Sequence, residues 1–303
     1  MKRLIVNADD FGLTPGVNRA ILDLNERGVL PSTTLMATAE CFEPAALAAV
    51  AQSSLGTGCH VTLVDGRSWL AGDQLPRLTV GATGLFRRTL GSFVQDLLRN
   101  RIPEAEIEAE ATAQIRRLQS AGVRVTHVDT HKHTHMFPGV YRPLLRAAIT
   151  CGVPAIRNPF EPEWSVRLTS NAGLVRRLQV RGLRWMRRGF LDAVRQARIA
   201  TTEGAIGVLA TGTLNASILR AFVAAMPEGV WELCCHPGYQ DAELAAVRTR
   251  LRESREIERE ALLEVLPHAA GISLIHFGNL AGGSATNGDV TSGNLAAAPA
   301  KSH

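Results

Sequence analysis

The sequence predicts an α/β fold in which about seven parallel strands alternate with helices. Short apolar stretches rich in β-branched residues alternate with longer helical patterns, which is typical of βα units around a parallel sheet. Prolines stand near the start of four helical patterns, where a missing backbone N–H costs little; they are Pro15, Pro44, Pro103 and Pro138. With 303 residues, 46% of them hydrophobic and 20% charged, the chain can bury a sizeable core and does not match disordered or collagen-like proteins.

The predicted strands are short, and an eighth candidate at residues 271–275 follows the seven. Those seven are Arg3–Asn7, Thr33–Thr38, Gly56–Thr62, Arg124–Asp129, Pro154–Arg157, Ala205–Leu209 and Val230–Cys235. The predicted helices are Pro15–Arg27, Pro44–Gln52, Pro103–Ser120, Pro138–Thr150, Asn171–Arg195, Leu214–Ala225 and Ala242–Leu266. Residues 71–86, with Pro76 and three glycines, are predicted to be a loop over the strand ends.

No linker divides the chain, so residues 1–280 are expected to form a single domain. Residues 281–303 lack aromatic side chains and periodicity and are predicted to be a disordered tail. The apolar stretch Leu4–Val6 is too short for a signal-peptide core, and no run reaches membrane-spanning length, so a cytoplasmic location is expected. Five cysteines without a C-x-x-C pair favour buried thiols over a disulfide framework or a zinc ribbon.

Polar residues after the strands are informative, because reactive groups gather at the carboxyl ends of parallel strands. The first strand ends in Asp9 and Asp10, which are costly to bury without a cation or donors but could also form a helix cap or turn. His60 and His236 each end another predicted strand. Either histidine alone could be a core residue. A functional role for either is therefore supported only by its combination with the other sites.

The strongest signal is residues 126–138, with the sequence THVDTHKHTHMFP. Four histidines and an aspartate recur there at a spacing of two: His127, Asp129, His131, His133 and His135. On an extended backbone all five would point the same way, into one cleft or barrel lumen. This pattern favours a metal or proton-transfer site over a histidine-rich surface loop. Together the four sites could supply a mononuclear metal with an open position, a base and an acid.

These motifs also carry a resemblance. Residues 7–12 (NADDFG), 58–63 (GCHVTL), 126–138 and 235–238 (CHPG) resemble, in the same order, motifs of the YdjC-like carbohydrate deacetylases. The resemblance runs from Arg3 to about Phe277. It implies a distorted (β/α) barrel of about seven parallel strands, similar to the polysaccharide deacetylases. It also implies removal of acetyl groups from N-acetylated sugars with a divalent metal, zinc or magnesium.

The resemblance also implies roles for individual residues. Asp10, His60 and His131 would bind the metal, and Asp9 would be the catalytic base. His236 matches a late strand-end histidine suited to the general acid.

Other residues are assigned as contacts of the substrate. His133 and His135 are alternatives for orienting ligands or substrate. Arg157 could contact a hydroxyl or an anionic group, or it could be a surface ion-pair partner.

A finer resemblance concerns the substrate. Residues 157–160 (RNPF) and 161–164 (EPEW), followed by an arginine-rich insertion, look most like the hopanoid-biosynthesis-associated branch of the family. This implies N-acetylglucosamine attached to a hopanoid lipid, with a soluble chitooligosaccharide as the competing substrate.

Two other classes of protein share parts of this pattern. An amidohydrolase or phosphoesterase also uses strand-end His and Asp, but usually shows an early His-x-His strand, whereas here that pattern follows the fourth strand. A basic membrane- or nucleic-acid-binding module without catalysis would explain the arginines and leave the histidine and aspartate sites without a purpose. A nucleic-acid role also lacks a supporting motif.

The net charge of +5 is unevenly placed, since residues 164–198 hold nine arginines and one aspartate. In the predicted helix, Arg177, Arg181, Arg184 and Arg188 fall on one face. Another side is predicted to hold the apolar residues Val175, Leu178, Trp185, Met186 and Phe190. The four arginines could hold the protein reversibly on an anionic membrane, while the alternative is an outer barrel helix with a solvated face.

Overall fold

The structure is a computed structural model that describes residues 1–169 and 173–280. The predicted tail, residues 281–303, lies outside the described residues, as does the beginning of the helix predicted from residue 171.

The described residues form one parallel sheet of seven strands. The strands are β1 (Lys2–Phe11), β2 (Ser32–Leu35), β3 (Gly56–Val61), β4 (Val128–Thr130), β5 (Gly204–Ile206), β6 (Gly229–Cys235) and β7 (Ile272–Leu274). Their order is β4-β3-β2-β1-β6-β5, and β7 pairs with the start of β1. All pairings are parallel, as the βα alternation predicts.

Strands β4 and β5 are the two ends of the sheet order. The predicted strand Pro154–Arg157 is present there only as isolated parallel bridges, Val128 with Ile156 and Ala155 with Ala200. The predicted barrel-like fold with about seven parallel strands is therefore confirmed as a half-barrel, with these bridges extending the pairing beyond β4.

Eleven α-helices cover the sheet in the described residues. They are α1 (Pro15–Glu26), α2 (Phe42–Ala51), α3 (Leu90–Leu98), α4 (Glu104–Ser120), α5 (Pro138–Thr150), α6 (Glu163–Leu168), α7 (Leu174–Leu183), α8 (Arg187–Ala197), α9 (Ala216–Ala225), α10 (Ala242–Ala246) and α11 (Glu253–Val265). Pro15 and Pro138 each stand in the first turn of a helix, as predicted. Helices α3 and α6 were not predicted, and the single helix predicted over Ala242–Leu266 is two helices.

The central strand β1 shows how sequence alternation builds two environments. Leu4, Val6 and Ala8 join the main hydrophobic core beneath the helices. Asn7 and Asp9, on the alternate positions, hydrogen-bond with each other and reach polar side chains of other strands. Because side chains alternate along a strand, the same segment supplies both the core and the polar interior.

The sequence predicted buried cysteine thiols and no run of membrane-spanning length. All five cysteines are free thiols, and only Cys41 is not fully buried. No helix in the described ranges combines the length and the apolar composition that crossing a bilayer requires.

Candidate metal centre

The end of β1 carries the two adjacent carboxylates of the site. The pairing register with β2 shifts between Ala8 and Phe11, and the backbone at Asp10 adopts a left-handed conformation with φ of 67°. Such irregularities re-aim a side chain at the end of a strand. They allow Asp9 and Asp10 to meet different partners although they are neighbours in sequence.

Asp10, His60 and His131 come together as a triangle of ligand atoms. Asp10 Oδ1 lies 3.6 Å from His60 Nε2 and 3.4 Å from His131 Nδ1. The two histidine nitrogens are 3.4 Å apart. The His131 side chain is 22% exposed, against 2% for His60, so this side of the site opens to solvent.

The triangle fits a divalent cation with tetrahedral preference. Ligand atoms bound to tetrahedral zinc at about 2.0–2.2 Å stand about 3.3–3.6 Å apart, which matches all three separations. Octahedral magnesium at about 2.0–2.1 Å would require neighbouring ligands about 2.8–3.0 Å apart. The donor set of two imidazoles and one carboxylate also suits zinc.

A second group, Asp9, His60 and Asp129, is also close enough to hold a metal. Its members already have partners, however. His60 Nδ1 lies 2.7 Å from Asp129 Oδ1, and both carboxylates contact Arg157. Asp129 therefore serves to orient His60, leaving Nε2 directed at Asp10 and His131, as second-layer carboxylates do for metal-binding histidines.

Asp9 lies beside this triangle as a charged group. Burial would raise the pKa of Asp9, but the guanidinium of Arg157 and the nearby His60 and His236 outweigh it and hold the pKa well below its usual range. Asp9 is therefore ionised.

Arg157 is placed differently from the sequence-based expectation. It is fully buried rather than exposed to substrate or placed on the surface, and it joins Asp9, Asp129 and Glu232. A cation among three buried carboxylates offsets part of their desolvation cost. Arg157 thus holds Asp9 in place from inside the barrel.

His236, at the end of β6, lies on the other side of Asp9. Its Nε2 is 3.8 Å from Asp9 Oδ2, and its Nδ1 is 3.8 Å from Glu258 Oε2. Burial lowers the pKa of His236, but Glu258, Asp9 and Asp10 raise it above its usual value. The imidazole therefore keeps its proton to higher pH, as a general acid needs.

Helix α11 contributes two site residues that the sequence patterns did not single out. Arg255 Nη2 lies 2.6 Å from Asp10 Oδ2, and Glu258 Oε2 accepts the backbone N–H of His236 at 2.6 Å. Both side chains are buried. The sequence feature that could have identified them is the position of these charged residues on the apolar face of the predicted helix Ala242–Leu266.

The histidine-rich segment does not stay extended, so the expectation that its alternate residues all point the same way is wrong. Strand β4 ends at Thr130, and residues 131–136 form a tight helical turn in which Lys132 and His133 have positive φ values of 58° and 52°. The turn separates the side chains. Asp129 and His131 reach the centre, while His127 stacks on Phe277 at 3.9 Å in the core.

His133 and His135 are not among the residues that form the metal-ligand triangle. His135 is completely buried, with Nδ1 2.7 Å from Thr130 Oγ1 and its ring facing Phe190. Burial lowers the pKa of His133 to about 3 and that of His135 well below its usual value, so both are neutral. A substrate contact by His133 stays a prediction, and His135 has the surroundings of a core side chain.

The four arginines predicted to share one helix face do not lie on one continuous α-helix. Helix α7 ends at Leu183, and residues 184–186 form a 3₁₀ turn before α8, which changes the angular spacing of the side chains. Arg181 and Arg184 both pair with Glu163, Arg177 donates to the Thr169 carbonyl, and Arg188 is 94% exposed.

The apolar side predicted for this helix is only partly buried. Met186 and Phe190 are buried, but Trp185 is 79% and Leu178 58% exposed. The side chain of Val175 lies outside the described part of the chain.

Comparisons with known proteins agree with this geometry. Residues 3–268 match the model of the family described as YdjC-like protein. A carbohydrate deacetylase of Thermoanaerobacter pseudethanolicus is 27% identical over 264 residues, covering 87% of this chain and 92% of the relative. A carbohydrate deacetylase of Brevibacillus brevis is 41% identical over 158 residues, or 52% of this chain, and that match spans only 60% of the relative's length.

A solved structure shares the fold. A crystal structure from Enterococcus faecalis V583, whose name assigns it to cellobiose-phosphate cleavage, superposes with a TM-score of 0.69 at 24% identity. The superposition covers 92% of this chain and 98% of that one. With the family model matching nearly the whole described chain, this protein belongs to the YdjC-like family.

Proposed function

We propose that this protein is a metal-dependent deacetylase that hydrolyses the acetamido group of an N-acetylated amino sugar. One observation carries the proposal: a triangle of metal-ligand atoms lies beside an ionised aspartate and a histidine with a raised pKa, from separate strands. Amide hydrolysis needs these three functions together, namely an electrophile, a base and an acid. The carbohydrate deacetylase names of the relatives supply the substrate class.

Asp10, His60 and His131 would hold the metal, and their donor types and separations favour zinc over magnesium. When bound, a divalent cation lowers the pKa of water and polarises an amide carbonyl.

The remaining steps belong to the side chains around the triangle. Asp9, kept ionised and oriented by Arg157, accepts the proton of the attacking water. His236, whose pKa Glu258 helps to raise, donates a proton to the departing amine nitrogen. Because Asp9 and His236 are only 3.8 Å apart, both protons move within one small region of the site.

For the substrate we propose N-acetylglucosamine attached to a hopanoid lipid, as the resemblance of residues 157–164 and the arginine-rich insertion implies. A soluble chitooligosaccharide is the competing substrate.

Contact with an anionic membrane is the second part of the substrate proposal. Arg184, Trp185, Arg188 and Arg195 line a cleft of about 570 Å³ along α8. An exposed tryptophan among arginines suits a bilayer interface, where the ring sits at headgroup level and the cations meet anionic lipids. The patch carries less free positive charge than the four-arginine face suggests, since Arg184 pairs with Glu163 and Asp192 lies against both Arg188 and Arg195.

The test is acetate release from purified protein stripped of metal and reloaded with zinc or magnesium. We expect zinc to restore hydrolysis of a lipid-linked N-acetylglucosamine at a higher kcat/KM than that of diacetylchitobiose. Higher activity on the soluble sugar would assign the chitooligosaccharide instead. Absence of hydrolysis on both, with metal bound, would refute the deacetylase proposal, and activity restored only by magnesium would refute the zinc assignment.

A further inference from the structure

Helix α11 presents a buried arginine to the metal centre. Arg255 is 1% exposed, and the same helix packs Ala261, Leu262 and Val265 into the protein interior. Arginine is almost never fully buried unless it is paired, because its charge is costly to remove from water. The position of Arg255 therefore needs a specific partner.

That partner is a predicted metal ligand. Arg255 Nη2 donates to Asp10 Oδ2 at 2.6 Å. The other oxygen of the same carboxylate, Oδ1, is the atom that faces His60 at 3.6 Å and His131 at 3.4 Å. The two oxygens of Asp10 are thus divided between a guanidinium on one side and the two histidines on the other.

The backbone and the stem of Arg255 are held by their surroundings. The Arg255 carbonyl accepts the N–H of Gly238 at 3.2 Å. A Cβ at Gly238 would lie 3.0 Å from Arg255 Cδ and 3.2 Å from Val17, so the stem of the side chain is closely packed. Among the described residues, Nε and Nη1 of Arg255 have no hydrogen-bond partner, which leaves Asp10 as the group that anchors the charge.

We propose that Arg255 is a positioning residue for the metal centre: it holds Asp10 Oδ2 so that only Oδ1 is offered to the metal. Asp10 needs such support because it sits on an irregular strand end in a left-handed backbone conformation. Partners of metal-binding carboxylates typically contribute 10- to 100-fold to metal affinity or activity. The inference rests on the proposed metal site and adds a residue from a distant helix to it.

Electrostatics alone would give Arg255 the opposite effect, a weakening of metal binding, and this contrast makes the inference testable. A guanidinium close to a divalent cation repels it, so an arginine that acted only through its charge would weaken metal binding. Removing the charge would then tighten binding. Orientation and repulsion therefore predict opposite signs for the change in metal affinity.

The experiment measures the zinc dissociation constant of the metal-stripped protein by competition with a chromophoric chelator. Arg255→Met keeps the packed stem and removes the charge, and Arg255→Gln is scored by the same criterion if the first variant does not fold. The matched control is Arg259→Met, on the same helix one turn later, where the guanidinium lies over the Tyr239 ring at 4.6 Å. Circular dichroism and thermal melting without metal establish that each variant is folded.

We expect the Arg255 variants to bind zinc roughly 10- to 100-fold more weakly than the parent protein, with Arg259→Met unchanged. The visible spectrum of bound cobalt should also change in the Arg255 variants, which mere loss of stability would not cause. An unchanged or tighter dissociation constant in a folded Arg255 variant would overturn the positioning role. If the parent protein binds no zinc, the proposed metal site fails instead, so the two failures are distinguishable.

Discussion

Arg157 forms a bidentate contact with Asp9: Nη2 lies 2.6 Å from Oδ1, and Nη1 lies 2.9 Å from Oδ2. The two residues are 148 positions apart and both are buried. A two-point contact of this kind fixes orientation as well as charge. It keeps Asp9 ionised, while the neighbouring Asp10 forms one corner of the triangle with His60 and His131.

Asp9→Asn should separate the base from the metal ligands. The amide cannot accept the proton of the attacking water, so kcat should fall by roughly 10²- to 10⁴-fold. Metal content, measured by elemental analysis, should stay near one ion per chain because Asp10, His60 and His131 are intact. Near-normal turnover in this variant would show that another group is the base.

His131→Ala should remove one corner of the ligand triangle, so both metal and activity should be lost. His131→Ala is preferable to a change at His60, because His60 is also tied to Asp129 within the interior. His268→Ala is the control, since His268 lies at the end of α11, in the turn of residues 266–268. A His131→Ala protein that binds zinc with full occupancy and hydrolyses substrate would contradict the site assignment.

Arg157→Met should reduce stability strongly. It leaves the carboxylates of Asp9, Asp129 and Glu232 buried without their shared cation. Breaking a buried ion pair costs about 3–5 kcal/mol, which urea unfolding would detect. Arg167→Met, whose side chain is 73% exposed, should change the free energy of unfolding by less than about 0.5 kcal/mol. Equal effects in the two variants would refute the interior role of Arg157.

Glu258→Gln should move the alkaline limb of the pH–kcat profile to lower pH. Three carboxylates face His236, those of Glu258, Asp9 and Asp10, and they raise the pKa of its imidazole. Removing the Glu258 charge lowers that pKa, so the acid form is lost at lower pH as pH rises.

The control for this change is Glu256→Gln on the same helix, where the side chain is 41% exposed and pairs with Arg259. Its profile should match that of the parent protein. An alkaline limb that does not move in Glu258→Gln would mean that His236 is not the group titrating there.

Replacing Trp185 by Ala and Arg188 and Arg195 by Gln should weaken binding to vesicles that contain anionic lipid. Each arginine near the surface contributes about 1 kcal/mol, so loss of two corresponds to roughly 30-fold in binding. Sedimentation at low and high salt measures this, and the attraction should fade with salt.

The matched control changes an exposed leucine and two exposed arginines elsewhere, Leu47→Ala, Arg101→Gln and Arg220→Gln. It has the same net charge as the Trp185 variant. Equal loss of binding in both triple variants would assign the effect to net charge rather than to the cleft along α8.

The sequence alone was sufficient to predict the parallel α/β architecture and the strand ends that carry Asp9, Asp10, His60 and His236. These are local properties, since a short apolar strand followed by polar residues can be seen without knowing its neighbours. Parallel strands place their carboxyl ends at the same edge of the sheet, so residues distant in sequence could be expected to meet. Interruptions of the helices and the short β4 were missed, because tertiary packing overrides local periodicity there.

The tertiary structure decided which charges pair. Lys132 and His133 turn into left-handed conformations, so a spacing of two in the sequence does not become one shared face. The sequence left Arg157 as a substrate contact or a surface ion-pair partner, yet it is buried because the barrel encloses Asp9, Asp129 and Glu232, whose desolvation requires a cation. Arg255 lies 245 residues from Asp10 and contacts it for the same reason. The partner of a buried charge depends on which side chains the fold encloses together, and no local pattern encodes that.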